Sequence, residues 1–344
     1  MRDSSEKTLV TRRGFAETGD AFGATFEWVG RERPAMDDLR LAIDGSVSAV
    51  FPPERLLDAL ADAPATVDVV DGKTDRLGDY RGVVTFAYRE SMLDVEWIHS
   101  VQAGVDRFPQ DRLRERGVTL TNSTGIHGDA IGETVAGYVL ALARRLHTHV
   151  AAQQERAWDQ PDWDEAWTVA GERACVVGLG GLGRGVVDRL DGLGLNVVGV
   201  RRTPTPEPGV EAVYTPDRLA EAVEGARFVV LAVPLTDTTR GLVDADVLAA
   251  MDDDAYLVNV ARGGVVAQDD LVEALADDAI AGAALDVFEA EPLPEDSPLW
   301  DFEDVIVTPH CGAFTRDYYR HVAAIVRESV SRVRTGEEPV NPVL

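Results

Sequence analysis

Lysine is almost absent from this chain of 344 residues. Only Lys7 and Lys73 are lysines, while Asp and Glu together number 60 and the formal net charge at pH 7 is −27. A charge of this sign and size disfavours nucleic acid and anionic membranes as partners, because both would be repelled. Molar salt shortens the Debye length to about 3 Å and so screens the self-repulsion of such a surface. We therefore predict a halophilic protein from a salt-rich cytoplasm.

Cysteine and long apolar runs are also scarce. The two cysteines, Cys175 and Cys311, lie in unlike contexts, which argues against a disulfide framework and against a cysteine metal site. We predict no bound metal. No run approaches the length of about 18 apolar residues that a spanning helix needs, and the N-terminus lacks the apolar block of a signal peptide. These absences favour a cytoplasmic location and give no sign of a membrane partner.

Residues 1–35 differ in charge from the remainder of the chain. They carry six basic and six acidic side chains, so the whole net charge belongs to residues 36–344. We predict that this segment is either a disordered tail or translated upstream sequence, with Met36 as the true start.

Two series of alternating strand and helix patterns follow. Strands are predicted at 39–43, 66–70, 81–88, 96–102 and 118–123, then at 174–180, 195–200, 227–234, 255–261, 280–287 and 305–310. A single long amphipathic helix is predicted over 132–158. The fold class is therefore α/β, with two Rossmann-like, doubly wound parallel-sheet domains and the active site in the cleft between them. We assign 36–134 plus about 318–344 to a substrate domain and 135–317 to a dinucleotide domain.

A glycine-rich turn follows the first strand of the second series. Gly178, Gly180 and Gly183 form GxGxxG between a strand pattern and a helix pattern, which is the context of a dinucleotide site. An NAD site carries an acidic residue at the end of the next strand. Arg201 and Arg202 take that place, and we see no nearby carboxylate that would repel a 2′-phosphate. NADP(H) is therefore the preferred cofactor, with NAD(H) as the alternative.

Three polar side chains follow later strands of the second series. Arg262 stands in VNVARGG, Glu291 in DVFEAEP and His310 in VTPHCG. An imidazole can give a proton to a carbonyl oxygen, a carboxylate can orient that imidazole, and an arginine can bind a substrate carboxylate. Each residue alone has an ordinary structural explanation, but together they predict hydride chemistry on a 2-oxo acid.

With these residues the chain resembles the NAD(P)-dependent D-2-hydroxyacid dehydrogenase family. The motifs that carry the resemblance occur in family order: GxGxxG (178–183), VPLTxxT (233–239), NxARG (259–263), DVFxxEP (286–292) and TPH (308–310), preceded by SVQAGVD (100–106) and TNSTGIHGDAIGE (121–133). The resemblance covers roughly residues 39–344. The acidic, lysine-poor composition makes the chain look similar to the halophilic-archaeal branch.

The resemblance implies a role for each matching position. Arg262 would anchor the substrate, Glu291 would hold His310, and His310 would be the general acid and base. The amides of Ala103, Gly104 and Val105 would bind the substrate carboxylate. Apart from the resemblance, the position of Tyr88 and Arg89 just past the strand RGVVTFA predicts that they shape the pocket for the substrate side chain. Asp286 would accept a hydrogen bond from the nicotinamide amide. Further cofactor contacts are expected from Gly181, Leu182, Thr203, Val233, Pro234, Thr239, Val260, Ala261 and His310. A homodimer is expected, with the helix near 133–157 at the interface.

Several alternatives stay open at this stage. The fold also occurs in corepressor-like proteins that sense cofactor occupancy, so a binding protein is an alternative to an enzyme. Among enzymes, a glyoxylate or hydroxypyruvate reductase and a phosphoglycerate dehydrogenase are alternatives. His99 and His127 could line the cleft, but we favour packed or solvent-facing imidazoles, and Cys311 is given no catalytic role.

Overall fold

The computed structural model describes residues 39–73 and 76–344; the predicted tail, residues 1–35, lies outside them. The elements in chain order are β1 (Arg40–Asp44), α1 (Pro53–Ala59), β2 (Thr66–Val70), β3 (Gly82–Thr85), β4 (Trp97–Ser100), α2 (Gln110–Arg116), β5 (Thr119–Asn122), α3 (Gly128–Ala143), α4 (Leu146–Glu155), β6 (Arg173–Val177), α5 (Gly181–Gly192), β7 (Asn196–Val200), β8 (Ala212–Tyr214), α6 (Leu219–Val223), β9 (Phe228–Leu231), α7 (Ala245–Leu248), β10 (Tyr256–Asn259), α8 (Gln268–Ala276), β11 (Gly282–Leu285), β12 (Val305–Val307) and α9 (Tyr318–Thr335).

The first sheet has five parallel strands in the order β2-β1-β3-β4-β5. Strands β3 and β4 are buried along their whole length, as expected for parallel strands covered on both faces. The C-terminal helix α9 packs onto this sheet, where its residues Val322, Val326 and Val330 join the core formed by Leu41 and Leu56. The chain end thus returns to the first sheet, as the sequence predicts.

The second sheet has seven parallel strands in the order β12-β11-β10-β9-β6-β7-β8. The six predicted strands are present. The seventh, β8, has three residues and lies at the sheet edge, where half-exposed side chains give no apolar run to detect. The strand order reverses between β6 and β9, and open α/β sheets bind their ligands at the carboxyl ends of the strands beside such a reversal. The predicted α/β class with two Rossmann-like parallel sheets is confirmed.

The predicted single helix over 132–158 is wrong. The structure has two helices, α3 and α4, separated at Arg144 and Arg145, and Arg145 has a φ of 53°. The guanidinium of Arg145 pairs with Asp304 and with Glu303. These partners follow β11 and precede β12, so long-range ion pairs hold the backbone in a left-handed conformation that interrupts the helix. The predicted domain boundary at 134/135 falls inside α3.

Within the part of the chain that the structure describes, none of the helices combines the length and the apolar character required to cross a bilayer. The largest buried clusters instead lie on the two faces of the second sheet and under the helices of the first. Both sheets belong to one compact unit, and the loops at their carboxyl ends contact each other across a cleft.

Candidate active site

The glycine loop joins the end of β6 to the start of α5. The N–H of Gly178 donates to the carbonyl of Val200 at 2.8 Å, which fixes the loop beside the end of β7. A Cβ at position 183 would lie 1.7 Å from the carbonyl oxygen of Gly178, so only glycine fits there. Gly180 precedes α5 without any side-chain cap, and the space where its Cβ would point is open. The loop therefore offers a free helix N-terminus of the kind that binds a pyrophosphate.

The arginine predicted to contact the cofactor ribose is already engaged by its own loop. Arg201 follows β7 directly, and its guanidinium donates to the carbonyls of Thr203 and Thr205 at 2.8 and 2.7 Å. It also pairs with Glu207 at 2.8 Å, whereas Arg202 is exposed. The expectation that no carboxylate lies near this site is wrong, because the loop folds Glu207 back onto Arg201. Sequence spacing alone did not reveal that return.

Other predicted cofactor contacts lie at the ends of the neighbouring strands. Val233, Pro234 and Thr239 follow β9, and the hydroxyl of Thr239 donates to the carbonyl of Pro234 at 2.6 Å. Val260 and Ala261 follow β10 and are buried. Because β6, β9 and β10 are adjacent in the sheet, these residues and the glycine loop share one edge. Their cofactor roles stay predictions.

His310 and Glu291 form a hydrogen-bonded pair. The two residues lie in the loops after β12 and β11, and Nδ1 of His310 is 2.8 Å from Oε2 of Glu291. Oε1 of the same carboxylate accepts from the amide of Phe288 at 3.3 Å. A carboxylate bound to Nδ1 orients the ring and leaves Nε2 as the nitrogen available to a substrate. The side chain of His310 is 25% exposed, so the ring is accessible from the cleft.

A second cation shares the carboxylate of Glu291. Nη2 of Arg107, from the loop after β4, lies 2.8 Å from the same Oε2. Burial raises the pKa of the Glu291 carboxyl, but the hydrogen bond and charge of His310, the amide of Phe288 and the charge of Arg107 outweigh burial. The pKa of Glu291 is therefore lower than usual, and the group is a carboxylate at neutral pH.

Arg262 reaches across to the first sheet. Its Nε donates to Asp106 at 3.1 Å and its Nη1 donates to the carbonyl of Ala261 at 2.7 Å. Its Nη2 occupies the place that a Cβ at position 104 would need, only 1.6 Å from that point. The side chain of Asn259 holds the backbone on both sides of Ala261, by accepting from the Ala261 amide and donating to the Arg262 carbonyl. The structure thus brings Arg262 against the loop 103–105.

Asp286 is buried and organises the loop that carries His310. Its carboxylate accepts from the hydroxyl of Thr308 at 2.6 Å and from the amides of Cys311 and Gly312 at 3.0 and 2.9 Å. The sequence predicts a contact with the nicotinamide amide and does not predict this loop contact. Asp286 therefore has a positioning role that depends on three partners distant from it along the chain.

Tyr88 is partly buried and packs with Phe108 against the core of the first sheet, their ring centroids 6.3 Å apart. Its hydroxyl oxygen is buried. His99 is fully buried between Thr121 and Ser123, and burial lowers its pKa to about 3. Both cysteines are free thiols, and burial raises the pKa of Cys311. His99 is therefore a packed histidine, as predicted.

The loops that follow β4, β9, β10, β11 and β12 line a cleft of about 1200 Å³. Its walls include Arg262, Glu291 and His310 together with Asp106 and Arg107, which the sequence analysis did not single out as site residues. Arg240 and Trp300 also line it and were likewise missed. The available signal was the adjacent pair of opposite charges, Asp106 and Arg107, in the loop that follows β4.

The strand order, the glycine loop and the His–Glu pair together define a nicotinamide-dependent oxidoreductase. Comparison with known proteins specifies the family, since residues 136–312 match the D-isomer specific 2-hydroxyacid dehydrogenase, NAD binding domain. The chain belongs to the D-isomer specific 2-hydroxyacid dehydrogenase family, whose members are NAD(P)-dependent oxidoreductases that act on 2-hydroxy acids.

Two curated relatives and one solved structure illustrate the match. A glyoxylate reductase of Korarchaeum cryptofilum is 33% identical over 252 residues, which cover 70% of this chain and 73% of the relative. A D-3-phosphoglycerate dehydrogenase of Methanocaldococcus jannaschii is 35% identical over 244 residues, covering 70% and 46%. The crystal structure of a D-isomer specific 2-hydroxyacid dehydrogenase of Xanthobacter autotrophicus Py2, in complex with NADPH and MES, superposes with a TM-score of 0.74 at 31% identity, covering 89% of this chain and 98% of that one.

Proposed function

We propose that this chain catalyses reversible hydride transfer between NADPH, or NADH, and a 2-oxo acid to give a D-2-hydroxy acid. The observation that carries the proposal is the 2.8 Å contact of His310 with Glu291, beside Arg262 in one cleft. The cofactor supplies two electrons as a hydride to the carbonyl carbon. Nε2 of His310 gives its proton to the carbonyl oxygen, so C=O becomes H–C–O–H and the ring becomes neutral. In the reverse direction the neutral ring accepts that proton.

Arg262 and the loop after β4 would hold the substrate. The guanidinium of Arg262 is fixed by Asp106 and by its own neighbour's carbonyl, which leaves Nη2 for a substrate carboxylate or carbonyl oxygen. The amides of Ala103, Gly104 and Val105 bind the carboxylate from the opposite wall, and Tyr88 shapes the region around the substrate side chain. Positive charge placed where oxygen becomes more negative lowers the barrier to reaction.

The residues at the sheet edge fit a dinucleotide. The uncapped start of α5 and the open space at Gly180 suit a pyrophosphate. The proposed contacts of the dinucleotide are Gly178, Gly181, Leu182, Gly183, Thr203, Val233, Pro234, Thr239, Val260 and Ala261. The Asp286 carboxylate accepts a hydrogen bond from the nicotinamide amide through lone pairs that its hydrogen bonds to the loop leave unused. Arg201 and Arg202 bind a 2′-phosphate, so NADP(H) is preferred, and the NADPH complex of the Xanthobacter relative supports this choice.

The substrates proposed are small 2-oxo acids, with glyoxylate and hydroxypyruvate first. The glyoxylate reductase of Korarchaeum supports glyoxylate, and phosphohydroxypyruvate is the alternative suggested by the Methanocaldococcus relative. Because the cleft contains Arg107 and Arg240 as well as Arg262, substrates with a second anionic group belong in the same test.

We also propose that the protein is a homodimer. Leu146 and Val150 on α4 are 49% and 55% exposed, and Trp158 and Trp163 just beyond α4 are each 93% exposed. Exposed apolar side chains gathered in one segment mark an interaction surface, and the sequence predicts the interface in this region. A second copy of the chain is the proposed occupant. Light scattering should give twice the mass of one chain. The double variant Trp158→Ser and Trp163→Ser should have the mass of a single chain.

A salt-rich cytoplasm is the proposed setting. The net charge of −27 and the near-absence of lysine support salt adaptation, and two free thiols suit a reducing compartment. Screening by salt should raise the melting temperature of the protein between 0.1 and 3 M KCl, concentrations over which the Debye length falls from about 10 Å to about 3 Å or less. No rise, or a fall, would contradict salt adaptation.

The proposed reaction is tested by initial rates in molar KCl with NADPH and with NADH. The panel consists of glyoxylate, hydroxypyruvate, phosphohydroxypyruvate, pyruvate, 2-oxobutyrate and 2-oxoisocaproate. We expect turnover with an NADPH advantage, and we expect His310→Gln to lose on the order of 10² to 10⁴ in kcat while it still binds NADPH. Unchanged kcat in His310→Gln would remove this residue from the mechanism, and no turnover on any substrate would contradict the reaction.

A further inference from the structure

A partly buried carboxylate bridges two arginines beside the glycine loop. Glu207 accepts from Nη1 of Arg201 at 2.8 Å through one oxygen, and it pairs with Nε of Arg184 at 3.1 Å through the other. The side chains of Glu207 and Arg201 are only 14% and 19% exposed, whereas that of Arg184 is 55% exposed. Water therefore screens the Glu207–Arg201 pair less than it screens the surface ion pairs of the same chain.

The two arginines flank the position of the adenosine ribose in this fold. Arg201 follows β7, whose last residue contacts the glycine loop, and Arg184 lies in the first turn of α5. In dinucleotide folds the residue at the end of this strand determines whether a ribose hydroxyl or a 2′-phosphate is accepted. Two guanidinium groups converging on one anion are the donor set that a 2′-phosphate would require.

We propose that Glu207 is a cofactor-selecting residue. Its carboxylate occupies the anion site formed by Arg184 and Arg201, and NADPH binds by displacing it with the 2′-phosphate. NADH leaves the carboxylate in place because its ribose carries only neutral hydroxyls. Glu207 thus weakens NADPH binding and reduces the difference in affinity between NADPH and NADH. This inference rests on the proposed function, since it assumes that the cleft binds a nicotinamide dinucleotide.

The loop that carries Glu207 favours displacement of the side chain over movement of the backbone. Pro204, Pro206 and Pro208 occupy alternate positions of the loop, and proline fixes φ near −65°. The guanidinium of Arg201 is held independently by the carbonyls of Thr203 and Thr205. Rotation of the Glu207 side chain would therefore leave Arg201 in place and exchange one anion for another.

The test compares dissociation constants of NADPH and NADH, measured by fluorescence titration of the whole protein at one fixed KCl concentration. Glu207→Gln keeps the shape of the side chain and removes its charge. We expect the Kd for NADPH to fall about fivefold, the size of a modest ion-pair effect, and the Kd for NADH to change less than about twofold. Glu221→Gln is the matched control, because Glu221 pairs with Arg218 on the exposed surface of the same domain.

A second variant keeps the proposal testable if Glu207→Gln does not fold. Arg184→Gln removes one of the two cations and should raise the Kd for NADPH about fivefold with little effect on NADH. Equal changes for both cofactors, or none, would overturn the proposal. Weaker NADH binding by Glu207→Gln would also overturn it, by making the carboxylate a ribose ligand. If the parent protein bound neither cofactor, the proposed function itself would fall.

Discussion

Arg107 is expected to help keep Glu291 ionised, so that its carboxylate can hold His310. Nη2 of Arg107 and Nδ1 of His310 each lie 2.8 Å from the same oxygen of Glu291. The charge of Arg107 is one of the causes that lower the pKa of Glu291. Replacing Arg107 with Gln removes that charge, which favours the protonated form of Glu291. The acid-side midpoint of kcat/KM for reduction, below which Glu291 is protonated, should move upward.

The size of this shift follows from the geometry. Nη2 of Arg107 lies 2.8 Å from Oε2 of Glu291. At that distance two opposite unit charges attract by about 1.5 kcal/mol in water. The Arg107 side chain is 55% exposed, and exposed ion pairs contribute only about 0.2–1 kcal/mol. At about 1.4 kcal/mol per pH unit, the expected shift of the midpoint is roughly half a unit.

The assay is kcat/KM for reduction of glyoxylate with saturating NADPH from pH 4 to 8 at constant ionic strength. Reduction needs Glu291 as a carboxylate, so the rate falls as pH falls through the acid-side midpoint, and in Arg107→Gln this fall should begin at a higher pH. Arg112→Gln is the control, since Arg112 pairs with Glu90 at the surface and its profile should match the parent. A midpoint that is unchanged or lower in Arg107→Gln would refute this electrostatic reasoning. The other charged residues that line the cleft with His310, namely Asp106, Arg240, Arg262 and Glu289, are intact in the variant.

Three further substitutions test other contacts. Gly183→Ala places a Cβ 1.7 Å from a carbonyl oxygen and should lower the free energy of unfolding by about 1–3 kcal/mol in urea titrations, unlike Gly192→Ala, whose Cβ meets open space. Gly104→Ala must displace the Arg262 guanidinium, so kcat/KM should fall about tenfold or more while the Kd for NADPH is unchanged. His99 has a pKa of about 3 when folded and about 6.5 when unfolded, so stability is lost as pH falls through that interval. The free energy of unfolding, measured in urea titrations, should fall less between pH 6.5 and pH 4.5 in His99→Gln than in the parent protein.

The strands and the motif positions were predictable because they depend on local pattern. Apolar runs bounded by glycine and proline identify buried parallel strands, and residues that follow them must lie at one edge of the sheet. That rule alone brings Arg262, Glu291 and His310 into one cleft, as the structure has them. It needs no knowledge of loop conformation.

The break between α3 and α4 was not predictable from the same pattern. The apolar periodicity continues through Arg145, but its left-handed conformation is held by ion pairs with Glu303 and Asp304. Those partners are more than 150 positions away in the sequence. The contact between Glu207 and Arg201 spans only six positions, but it could not be predicted either. A loop with three prolines has no periodic pattern from which its conformation could be inferred.

Asp106 and Arg107 each form an ion pair across the cleft. Adjacent along the chain and opposite in charge, they contact Arg262 and Glu291 respectively, and both partners belong to the other sheet. Opening the cleft would therefore break both pairs together, leaving Arg262 without its carboxylate and Glu291 with His310 alone. A substrate carboxylate that enters the cleft would bind Nη2 of Arg262, whose Nε is held by Asp106, and would not compete for Glu291. Substrate binding and proton donation thus depend on one loop through separate contacts, and variants at 106 and 107 should separate an effect on KM from an effect on the pH profile.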